Sequence, residues 1–519
     1  MSDATPRIGV VAAILAASAA LSRVLGYLRE AVISRVLGAG AEVDAYGAAF
    51  MLPDLLNYFL AGGALSIAFI PFYTRTRDRE GEEAAQRFFA VVLGTTGALA
   101  IAATVALWIG ADCLVAVQFP RFDPEQSALT ARLTRILLPA QIFFLTGGVL
   151  RGALMARGHF LAQTAAPLLY NGAIIVCGLA LGTRIGAEGF AWGALVGAVI
   201  GPFGAAWLET RRVSGLRLTV RLSLTDRGLQ RYLVAALPLM LGVTLLTVDE
   251  WYDRWFAGLM AAGSIAALRF ARVLMQLPVA IIGQAIATAA LPTLSRFASE
   301  GREGDLDATL LGALRAGLSL ACVAAVATFV FAEPLVRLVY EGGRFDADDT
   351  ARVAALLRIF AFAVPAWIAQ QIAVRGFYAR GDTWRPMWLG TVIAALAVVL
   401  YFVLGQRHGA PGLAAAGAIG MSVNAAATLL LLRVLHRGPS LEALAKTVSR
   451  AVAISAAAGA VAWLVPGLGT GAVGAVMHLT IGGAVFAGVA LAGVQGFGDA
   501  PQREAVRAIA RRLGRAGRG

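Results

Sequence analysis

The chain has 519 residues, of which 59% are hydrophobic and 14% are charged, and its mean hydropathy is +0.74. This composition excludes a soluble globular domain and predicts an integral membrane protein with many spans. The formal net charge of +13 arises from 44 Lys and Arg against 31 Asp and Glu. Because the basic residues concentrate in alternate connections, we interpret this charge as a topology signal and expect no nucleic acid partner.

Apolar runs of about 20 residues recur along the chain, and each is long enough to cross a hydrocarbon core of about 30 Å as a helix. The first run contains internal arginines and lacks a small-residue cleavage site before them, so we interpret it as a retained helix and not as a secretory signal. We therefore predict an all-α integral membrane protein with fourteen transmembrane helices and no separate soluble domain. The approximate spans are 8–34, 41–73, 86–111, 133–156, 160–182, 187–209, 229–258, 264–295, 307–332, 350–379, 384–405, 410–435, 446–466 and 473–494.

The first predicted helix carries charge inside an apolar background. Its stretch LSRVLGYLREAVISRVLGAG, residues 21–40, contains Arg23, Arg29, Glu30 and Arg35. At about 100° per residue, Arg23 and Glu30 share a face and Arg29 lies about 120° away, so these charges do not form one solvated stripe. Ionisable residues inside a membrane are costly and usually face a bundle interior or a watery cavity. Arg35 lies near the outer end and can snorkel, whereas Arg23 and Arg29 lie deeper.

Charged residues recur in the seventh and eighth predicted helices. The stretches TVDEWYDRWFAG and ALRFARVLMQLP contain Asp249, Glu250, Asp253, Arg254, Arg269 and Arg272. If the two halves of the chain pair, these charges and those of the first helix meet in one central, largely cationic cavity. Arginine's planar fork of donors matches phosphate oxygens, which favours an anionic phosphorylated ligand. The alternative is a set of buried salt bridges holding the halves together, for instance Arg29 with Glu30 or Asp44.

Two pairs of motifs recur at one offset. RGALMARG at 151–158 resembles RGFYARG at 375–381, and MLPDLLNYFLAGGALSIAFIPFYTR at 51–75 resembles MQLPVAIIGQAIATAALPTLSR at 275–296. The offset of about 220 to 225 residues corresponds to six predicted helices, an even number that keeps both halves in the same orientation. The pattern predicts two six-helix lobes in a parallel pseudo-repeat plus two C-terminal helices. The predicted regions are an N-lobe at 1–215, a C-lobe at 216–436, the last two helices at 437–495 and a basic cytoplasmic tail at 496–519.

The connections predict the orientation. Basic connections such as TRTRDREGEEAAQR alternate with connections nearly free of positive charge, such as GAGAEVDA and VPGLGTG. Because Lys and Arg in short loops stay on the cytoplasmic side, we expect both termini in the cytoplasm. In the tail, Val506, Ile509 and Leu513 share one helical face among arginines. This favours a helix on an anionic membrane surface, with a disordered solubilising tail as the alternative.

The sequence predicts no metal, cofactor or catalytic site. Cys113, Cys177 and Cys322 lie far apart in apolar surroundings without metal-ligand spacing, so we expect them to serve packing. The four histidines are scattered, and no glycine loop follows a strand to cradle a nucleotide. We therefore do not expect an enzyme. The alternative of a membrane transferase acting on a lipid-linked sugar would need a carboxylate cluster at a membrane face, which the sequence does not show.

The run SRVLGYLREAVISRVLGAGAEVDAYGAAFMLPDLLNYFLAGGALSIAFIP resembles the signature of the MurJ (MviN) family of lipid II flippases, in the multidrug/oligosaccharidyl-lipid/polysaccharide exporter superfamily. ARGHFLAQTAAPLLYN, DRWFAGLMAAGSIAALRFARVLMQLP, LVRLVYEGGRFDADDTAR and VRGFYARGDTWRPM are similar to later family segments in the same order. The resemblance implies two six-helix lobes with two added helices, a cationic cavity between the lobes and a groove toward the last helices for a polyprenyl tail.

The same resemblance implies a function. Alternating access would move the undecaprenyl-pyrophosphate-linked disaccharide-pentapeptide from the cytoplasmic to the periplasmic leaflet of the cell inner membrane, for peptidoglycan synthesis and cell shape. Membrane lipids are the other expected partners, and cell-wall synthesis proteins are left open. Arg23 and Arg29 fall on the family's two functional arginines of the first helix, and Asp44 falls on its acidic residue at the start of the second. Asp253-Arg254 matches a common family form.

Other positions depart from the family pattern. Asn57 stands where typical members have another functional arginine, and Gly62 replaces an acidic residue. In the eighth helix, Val273 occupies the arginine position and Arg272 lies one place earlier, a step that rotates the side chain by about 100°. The candidate substrate-binding residues are therefore Arg23, Arg29, Asp44, Asn57, Arg254 and Arg272.

These departures leave three alternatives open. The first is a flippase for another polyprenyl-pyrophosphate-linked glycan. The second is a scaffold that organises cell-wall enzymes without transporting. A multidrug cation antiporter fits less well, because a cavity rich in arginine repels cations.

Overall fold

The computed structural model builds the chain from α-helices, and its described part contains no β-strand. The structure describes residues 8–61, 64–213, 215–241, 245–467, 469, 471–499 and 502–503. The predicted all-α class is confirmed. Gly62 and the predicted surface-helix residues Val506, Ile509 and Leu513 lie outside the described residues.

The helices form two compact units. Unit 1 comprises Met1–Gly242 and two short segments from later in the chain, Ala261–Ala266 and Gly342–Phe345. A π-helical stretch, Val199–Ala205, joins its tenth and eleventh helices. The helices of unit 1 are α1 (Ile8–Leu37), α2 (Ala41–Ala49), α3 (Met51–Ala61), α4 (Ala64–Glu80), α5 (Glu82–Ile109), α6 (Ala111–Gln118), α7 (Pro124–Leu137), α8 (Ala140–Ala156), α9 (Leu161–Ile185), α10 (Ala187–Ala198), α11 (Ala206–Thr210) and α12 (Arg227–Leu241).

Unit 2 comprises Val243–Met260, Ala267–Glu341 and Asp346–Gly519. The first turn of its second helix therefore belongs to unit 1. A second π-helical stretch, Val279–Gly283, separates α14 from α15. The helices are α13 (Leu245–Ala257), α14 (Ser264–Pro278), α15 (Gln284–Ser299), α16 (Glu303–Val330), α17 (Ala332–Tyr340), α18 (Ala347–Ala361), α19 (Val364–Ala379), α20 (Trp384–His436), α21 (Leu441–Trp463) and α22 (Gly471–Phe497).

Within the described residues, nine helices are long and apolar enough to cross a membrane, or ten if the bent pair α18 and α19 is one span. Each of the fourteen predicted spans overlaps one or more of the helices above. Helix α20 covers two predicted spans, and Gly409, with φ 63° and ψ −143°, breaks the helix between them just before Pro411. The chain is a multi-pass membrane protein, while the count of fourteen crossings and the predicted boundaries after residues 215, 436 and 495 stay predictions.

Small residues hold α1 closely against its neighbours in unit 1. A Cβ atom added to Gly182 of α9 would lie 3.0 Å from Val36 of α1 and 2.9 Å from Phe190 of α10, so only glycine permits this approach without a shift of those side chains. Nearer the start of α1, the Ser18 hydroxyl donates to the Thr164 carbonyl at 2.6 Å. Helix α9 thus contacts α1 near both ends and sets the direction of the charged residues between them.

The core of unit 1 includes an aromatic cluster on α4, α5 and α12. Phe69 stacks on Tyr73 and on Phe88, with ring centroids 5.5 and 5.7 Å apart. Tyr232 of α12 meets Phe69 edge-on at 6.3 Å. Such pairs contribute about 0.5–1.5 kcal/mol beyond the burial of their surface. These ring contacts hold α12 against α4 and α5.

In unit 2, the last two helices pack on α16 and the start of α17. The shared core consists of Phe331, Ala458, Ala462, Phe486 and Ala490. Alanines on α21 let the two phenylalanine rings approach the helix closely. This core holds α21 and α22 to the rest of unit 2.

Candidate functional site

Arg29 lies in the second half of α1 and is held by two partners. Its Nη2 donates to the Glu30 carboxylate at 2.7 Å and its Nε donates to the same oxygen at 3.2 Å. Its Nη1 donates to the Asn171 amide oxygen at 3.0 Å. The Arg29 side chain is 25% exposed, whereas that of Glu30 is 2% exposed. The Arg29 side chain is therefore partly exposed while its acidic partner stays buried.

Asn171 orients this guanidinium from α9. Its Nδ2 donates to the Pro167 carbonyl one turn earlier at 3.0 Å, which points its amide oxygen at Arg29. Sequence reasoning missed Asn171. The available signal was a lone amide in an otherwise apolar helix, four residues after a proline.

Arg23 lies on an exposed face of α1, two turns before Arg29. Arg35, in the last turn of α1, is exposed as well. Asn57, on α3, is half-buried. All of these residues belong to unit 1. Their proposed contacts with a substrate stay predictions.

Asp44 is buried on α2, where both of its carboxylate oxygens accept backbone hydrogen bonds. Oδ2 accepts from the Gly263 N–H at 2.6 Å and Oδ1 accepts from the Ala266 N–H at 2.7 Å. These N–H groups belong to the start of α14, where a helix leaves its first donors unsatisfied and concentrates positive partial charge. Asp44 thus caps α14 from a distance of more than 200 residues in sequence.

Glu42, two residues before Asp44, also accepts a backbone hydrogen bond. Its carboxylate accepts from the Ala187 N–H at 2.8 Å and pairs with Arg344 at 3.2 Å. The Arg344 N–H in turn donates to the Arg35 carbonyl at 2.9 Å. Gly343, at φ +60°, brings the backbone of this segment against Arg35, and an added Cβ would collide with the Arg35 carbonyl. Both short segments of unit 1 therefore attach to the junction of α1 and α2.

Arg272 of α14 is buried in unit 2 between two aspartates. Its Nε donates to Asp253 at 2.9 Å, and its Nη1 and Nη2 contact Asp249 and Asp253. The Tyr401 hydroxyl also donates to Asp249. The guanidinium lies over the Phe360 ring, 4.8 Å from its centroid. Arginine and aspartate side chains are at most 7% exposed here, so the cluster is a buried ion-pair network within unit 2. The salt-bridge alternative predicted from the sequence concerned pairs that join the two halves, and it stays open.

The remaining candidates in unit 2 lie near this cluster. Arg254 is 3.8 Å from Glu250 on the same helix. Val273, at the position where the family has its arginine, is half-buried. Arg272, one residue earlier, is buried. The one-residue step in the eighth predicted helix therefore places this arginine in the interior of unit 2. Among the described residues, no group of three His, Cys, Asp or Glu side chains is arranged to hold a metal ion.

Known proteins of one family are similar to this chain over most of its length. The family model described as "Lipid II flippase MurJ" matches residues 33–482. The "Probable lipid II flippase MurJ" of Rhizobium meliloti (strain 1021) is 28% identical over 493 residues, which cover 92% of this chain and 91% of the relative. The "Lipid II flippase MurJ" of Burkholderia cenocepacia is 28% identical over 421 residues, which cover 80% of this chain and 81% of the relative.

Solved structures share the fold. "Lipid II flippase MurJ, inward closed conformation" aligns with a TM-score of 0.79 at 20% identity, over 93% of this chain and 98% of that chain. A multidrug resistance MATE family transporter of the MOP superfamily, in an inward-facing conformation, aligns with a TM-score of 0.68 at 18% identity, over 82% of this chain and 96% of that chain. These likenesses show the fold, and the family model, which matches most of the sequence, shows that the chain belongs to the lipid II flippase MurJ family.

Proposed function

We propose that this protein is a lipid II flippase of the cell inner membrane. It moves the undecaprenyl-pyrophosphate-linked disaccharide-pentapeptide from the cytoplasmic to the periplasmic leaflet by alternating access. Membership of the MurJ family supports this function over transport of another polyprenyl-linked glycan or of multidrug cations. The observation that carries the proposal in this chain is Arg29, whose guanidinium is oriented by Glu30 and Asn171 on a partly exposed side chain.

Arg29 suits a pyrophosphate because its partners use only part of its donor set. A guanidinium has five N–H donors in a fixed fork. Among the described residues, Glu30 and Asn171 accept from three of them, through Nε, Nη1 and Nη2. The remaining two N–H groups lie on the terminal nitrogens, which are the atoms that pair with phosphate oxygens. Arg29 is thus held in place and can still bind the ligand.

Asp44 and Glu42 serve a different role in this proposal. Their carboxylates hold Gly263, Ala266 and Arg344, which lie in or next to connections that the charge pattern assigns to the outer side. Holding those connections closes the outward route while the ligand enters from the cytoplasm. Releasing them opens it. Asp44 therefore acts as a closing contact and Arg29 as a ligand contact.

The orientation forms part of the proposal. Both termini lie in the cytoplasm, as the basic connections indicate. A reporter that is active only in the cytoplasm, fused after Gly519, should be active. A reporter fused into the connection between α21 and α22 should be inactive, and activity there would contradict the predicted topology.

The function is tested with purified protein in liposomes that contain fluorescent lipid II. The parent chain should move lipid II between leaflets, and Arg29→Ala should lower the apparent affinity about ten- to a hundredfold, because a hydrogen bond to a charged group contributes roughly 1.5–3 kcal/mol. Arg29→Lys should restore transport only in part, since lysine keeps the charge and loses the fork. Arg217→Ala is the matched control, because Arg217 is exposed and the charge pattern assigns its connection to the cytoplasmic side. Equal transport by the parent and Arg29→Ala at limiting lipid II would contradict the role of Arg29.

A further inference from the structure

The connection between α11 and α12 carries a row of exposed aliphatic side chains. Its stretch LRLTVRLSL, residues 216–224, has an aliphatic residue at every second position and arginine, threonine or serine between them. We call these residues the strap. Leu216 is buried in the core of unit 1. The exposed fraction of the later aliphatic side chains rises along the strap: Leu218 41%, Val220 63%, Leu222 71% and Leu224 74%.

The strap is held against α5 by hydrogen bonds. The Arg221 N–H donates to the Ala90 carbonyl at 3.0 Å. The Arg217 N–H donates to the Gln86 side-chain oxygen at 3.1 Å. The Gln86 amide donates in return to the Arg217 carbonyl and, at 3.0 Å, to the Thr219 hydroxyl. The aliphatic side chains are therefore exposed on a segment that is fixed in place.

The strap follows α5 into its predicted membrane span, 86–111. A Cβ atom added to Gly94 would collide with the Arg221 carbonyl, so the strap lies directly on the helix at this point. Gln86 and Gly94 are separated by about 12 Å along the helix, at 1.5 Å per residue. One leaflet contributes about 15 Å of hydrocarbon. From Arg217 to Arg221, the strap therefore descends from the cytoplasmic interface into the cytoplasmic leaflet.

The stripe of α5 that the strap covers continues as a stripe that faces lipid. Ala90 and Gly94 share a helix face with Ile101, Val105 and Trp108, which follow at helical spacing. These three side chains are 50%, 50% and 48% exposed. Exposed apolar side chains on a spanning helix fit lipid tails, whereas a watery cavity carries polar groups. The strap therefore lies between α5 and the lipid.

We propose that the strap is an interfacial anchor, which inserts Leu218, Val220, Leu222 and Leu224 among the acyl chains of the cytoplasmic leaflet. The hydrogen bonds to α5 favour insertion, because an unsatisfied backbone group in hydrocarbon costs several kcal/mol. Arg221 reaches the headgroups, since a long arginine side chain snorkels. The aliphatic face meets the leaflet itself and not a transported ligand, so the anchor goes beyond flippase activity and does not depend on it.

Spin labels measure this insertion directly. Each label is attached to one cysteine of the full chain, which lacks the native cysteines and is reconstituted in liposomes. Molecular oxygen concentrates among acyl chains, whereas the nickel complex Ni-EDDA stays in water, so the ratio of the two collision rates reports depth. A label at Leu222→Cys should lose most collisions with Ni-EDDA and keep those with oxygen. The ratio of oxygen to Ni-EDDA collisions should rise from Leu218→Cys to Leu222→Cys, because the strap descends in that direction.

Two further positions serve as references for the labels. Ile101→Cys, on the lipid-facing stripe of α5, should resemble Leu222→Cys. Glu80→Cys, exposed in the basic connection TRTRDREGEEAAQR, should collide freely with Ni-EDDA. Collisions with Ni-EDDA as frequent at Leu222→Cys as at Glu80→Cys would overturn the proposal, because the strap would then lie in water. Protection from both reagents would also overturn it, since protein, such as a second copy of this chain, would then cover the strap.

A charge on the aliphatic face tests the same anchor through its energetics. Leu222→Asp should expel the strap from the leaflet, because a carboxylate is costly in hydrocarbon and aspartate is too short to snorkel. A label at Leu224→Cys should then gain collisions with Ni-EDDA. Leu222→Met keeps an apolar side chain of similar volume and should leave them unchanged. Equal collision rates in the Leu222→Asp and Leu222→Met proteins would overturn the proposal.

Discussion

At the scale of single residues, the membrane-embedded arginines differ in how many of their donors the protein uses. Arg272 is enclosed by Asp249, Asp253 and the ring of Phe360. Arg29 has one acidic partner and one amide partner, and a quarter of its side chain is exposed. The first environment is that of a structural ion pair, and the second is the one that we propose for a ligand contact.

Arg272→Ala should destabilise the protein strongly. It leaves two carboxylates buried without their cation, a change that costs about 3–5 kcal/mol. Thermal unfolding of the detergent-solubilised protein should show a Tm lower by several degrees. Arg302→Ala, which removes exposed pairs with Glu300 and Asp305, should change the Tm little. An unchanged Tm with lost transport would instead identify Arg272 as a substrate contact.

Asn171→Ala should weaken transport without unfolding the protein. It removes the acceptor that aims Arg29, so lipid II transport at limiting substrate should fall about tenfold, as expected for a hydrogen bond to a charged group. Gln163→Ala, at an exposed position on the same helix, is the control. Transport equal to the parent's would show that Arg29 does not need this orientation.

The sequence pointed to some of these contacts and not to others. Asp249 and Asp253 are four residues apart, so their shared helix face was visible in the sequence. Tyr401 is about 150 residues from Asp249, and no local pattern reveals such a partner. The sequence also could not decide whether Arg272 reaches a ligand or the interior of its own unit, because that depends on a rotation of about 100°.

At the scale of helices, a carboxylate can hold a distant helix by its first turn. Asp44 accepts from Gly263 and Ala266, so one side chain of α2 caps α14. The resemblance to the family implied an acidic residue of functional importance at this position. It could not reveal the contact, because the two segments are about 220 residues apart.

Asp44→Asn should loosen the segment Ala261–Ala266, since an amide loses the charge that the helix terminus favours and one of the two acceptors. Ile265 is buried and packs against Gly47, so a cysteine introduced there reports release of the segment. In a background lacking the native cysteines, a membrane-impermeant maleimide added outside should label Ile265→Cys faster in the Asp44→Asn protein.

Asp112→Asn is the control for this experiment. Asp112 is an exposed acid on α6 that pairs with Arg135 and lies on the same predicted side of the membrane. Its loss should leave the labelling rate unchanged. If Asp44→Asn labels no faster than Asp112→Asn, the contact does not close the outward route.

Asp499, just after α22, exchanges hydrogen bonds with Gln502 at 2.9 and 3.0 Å and accepts from Arg315 Nη2 at 2.6 Å and from the Thr447 hydroxyl at 3.1 Å. These contacts should give a pH dependence of known sign. Burial raises the pKa of Asp499, but hydrogen bonds from Gln502, Arg315 and Thr447 outweigh it and leave the pKa below its ordinary value of 3.8. The contribution of Asp499 to stability is therefore complete above about pH 5 and is lost as the pH falls below about 4. The Tm difference between the parent and Asp499→Asn should stay constant from pH 8 to 5 and shrink at lower pH. A difference that shrinks with rising pH would contradict this assignment.

At the scale of the whole molecule, composition and apolar runs predicted the all-α membrane class. In a bilayer the backbone N–H and C=O groups must bond to one another, and a long apolar run satisfies this requirement as a helix. The motifs predicted the family, which the family model confirms over residues 33–482. The predicted separation of the spans 384–405 and 410–435 agrees with the break in α20 at Gly409. The packing of Ala261–Ala266 and Gly342–Phe345 with unit 1 was not predicted, since it depends on tertiary contacts and not on local pattern.

The central claim is that this chain flips lipid II, and replacement of an essential lipid II flippase tests it most directly. The parent chain is expressed in a bacterium whose own flippase is depleted, and growth and cell shape are followed while the amount of the chain in the inner membrane is measured. The account predicts sustained growth with normal shape for the parent and poor growth for Arg29→Ala at equal abundance. Lysis of cells that contain the parent chain at normal abundance in the inner membrane would contradict it.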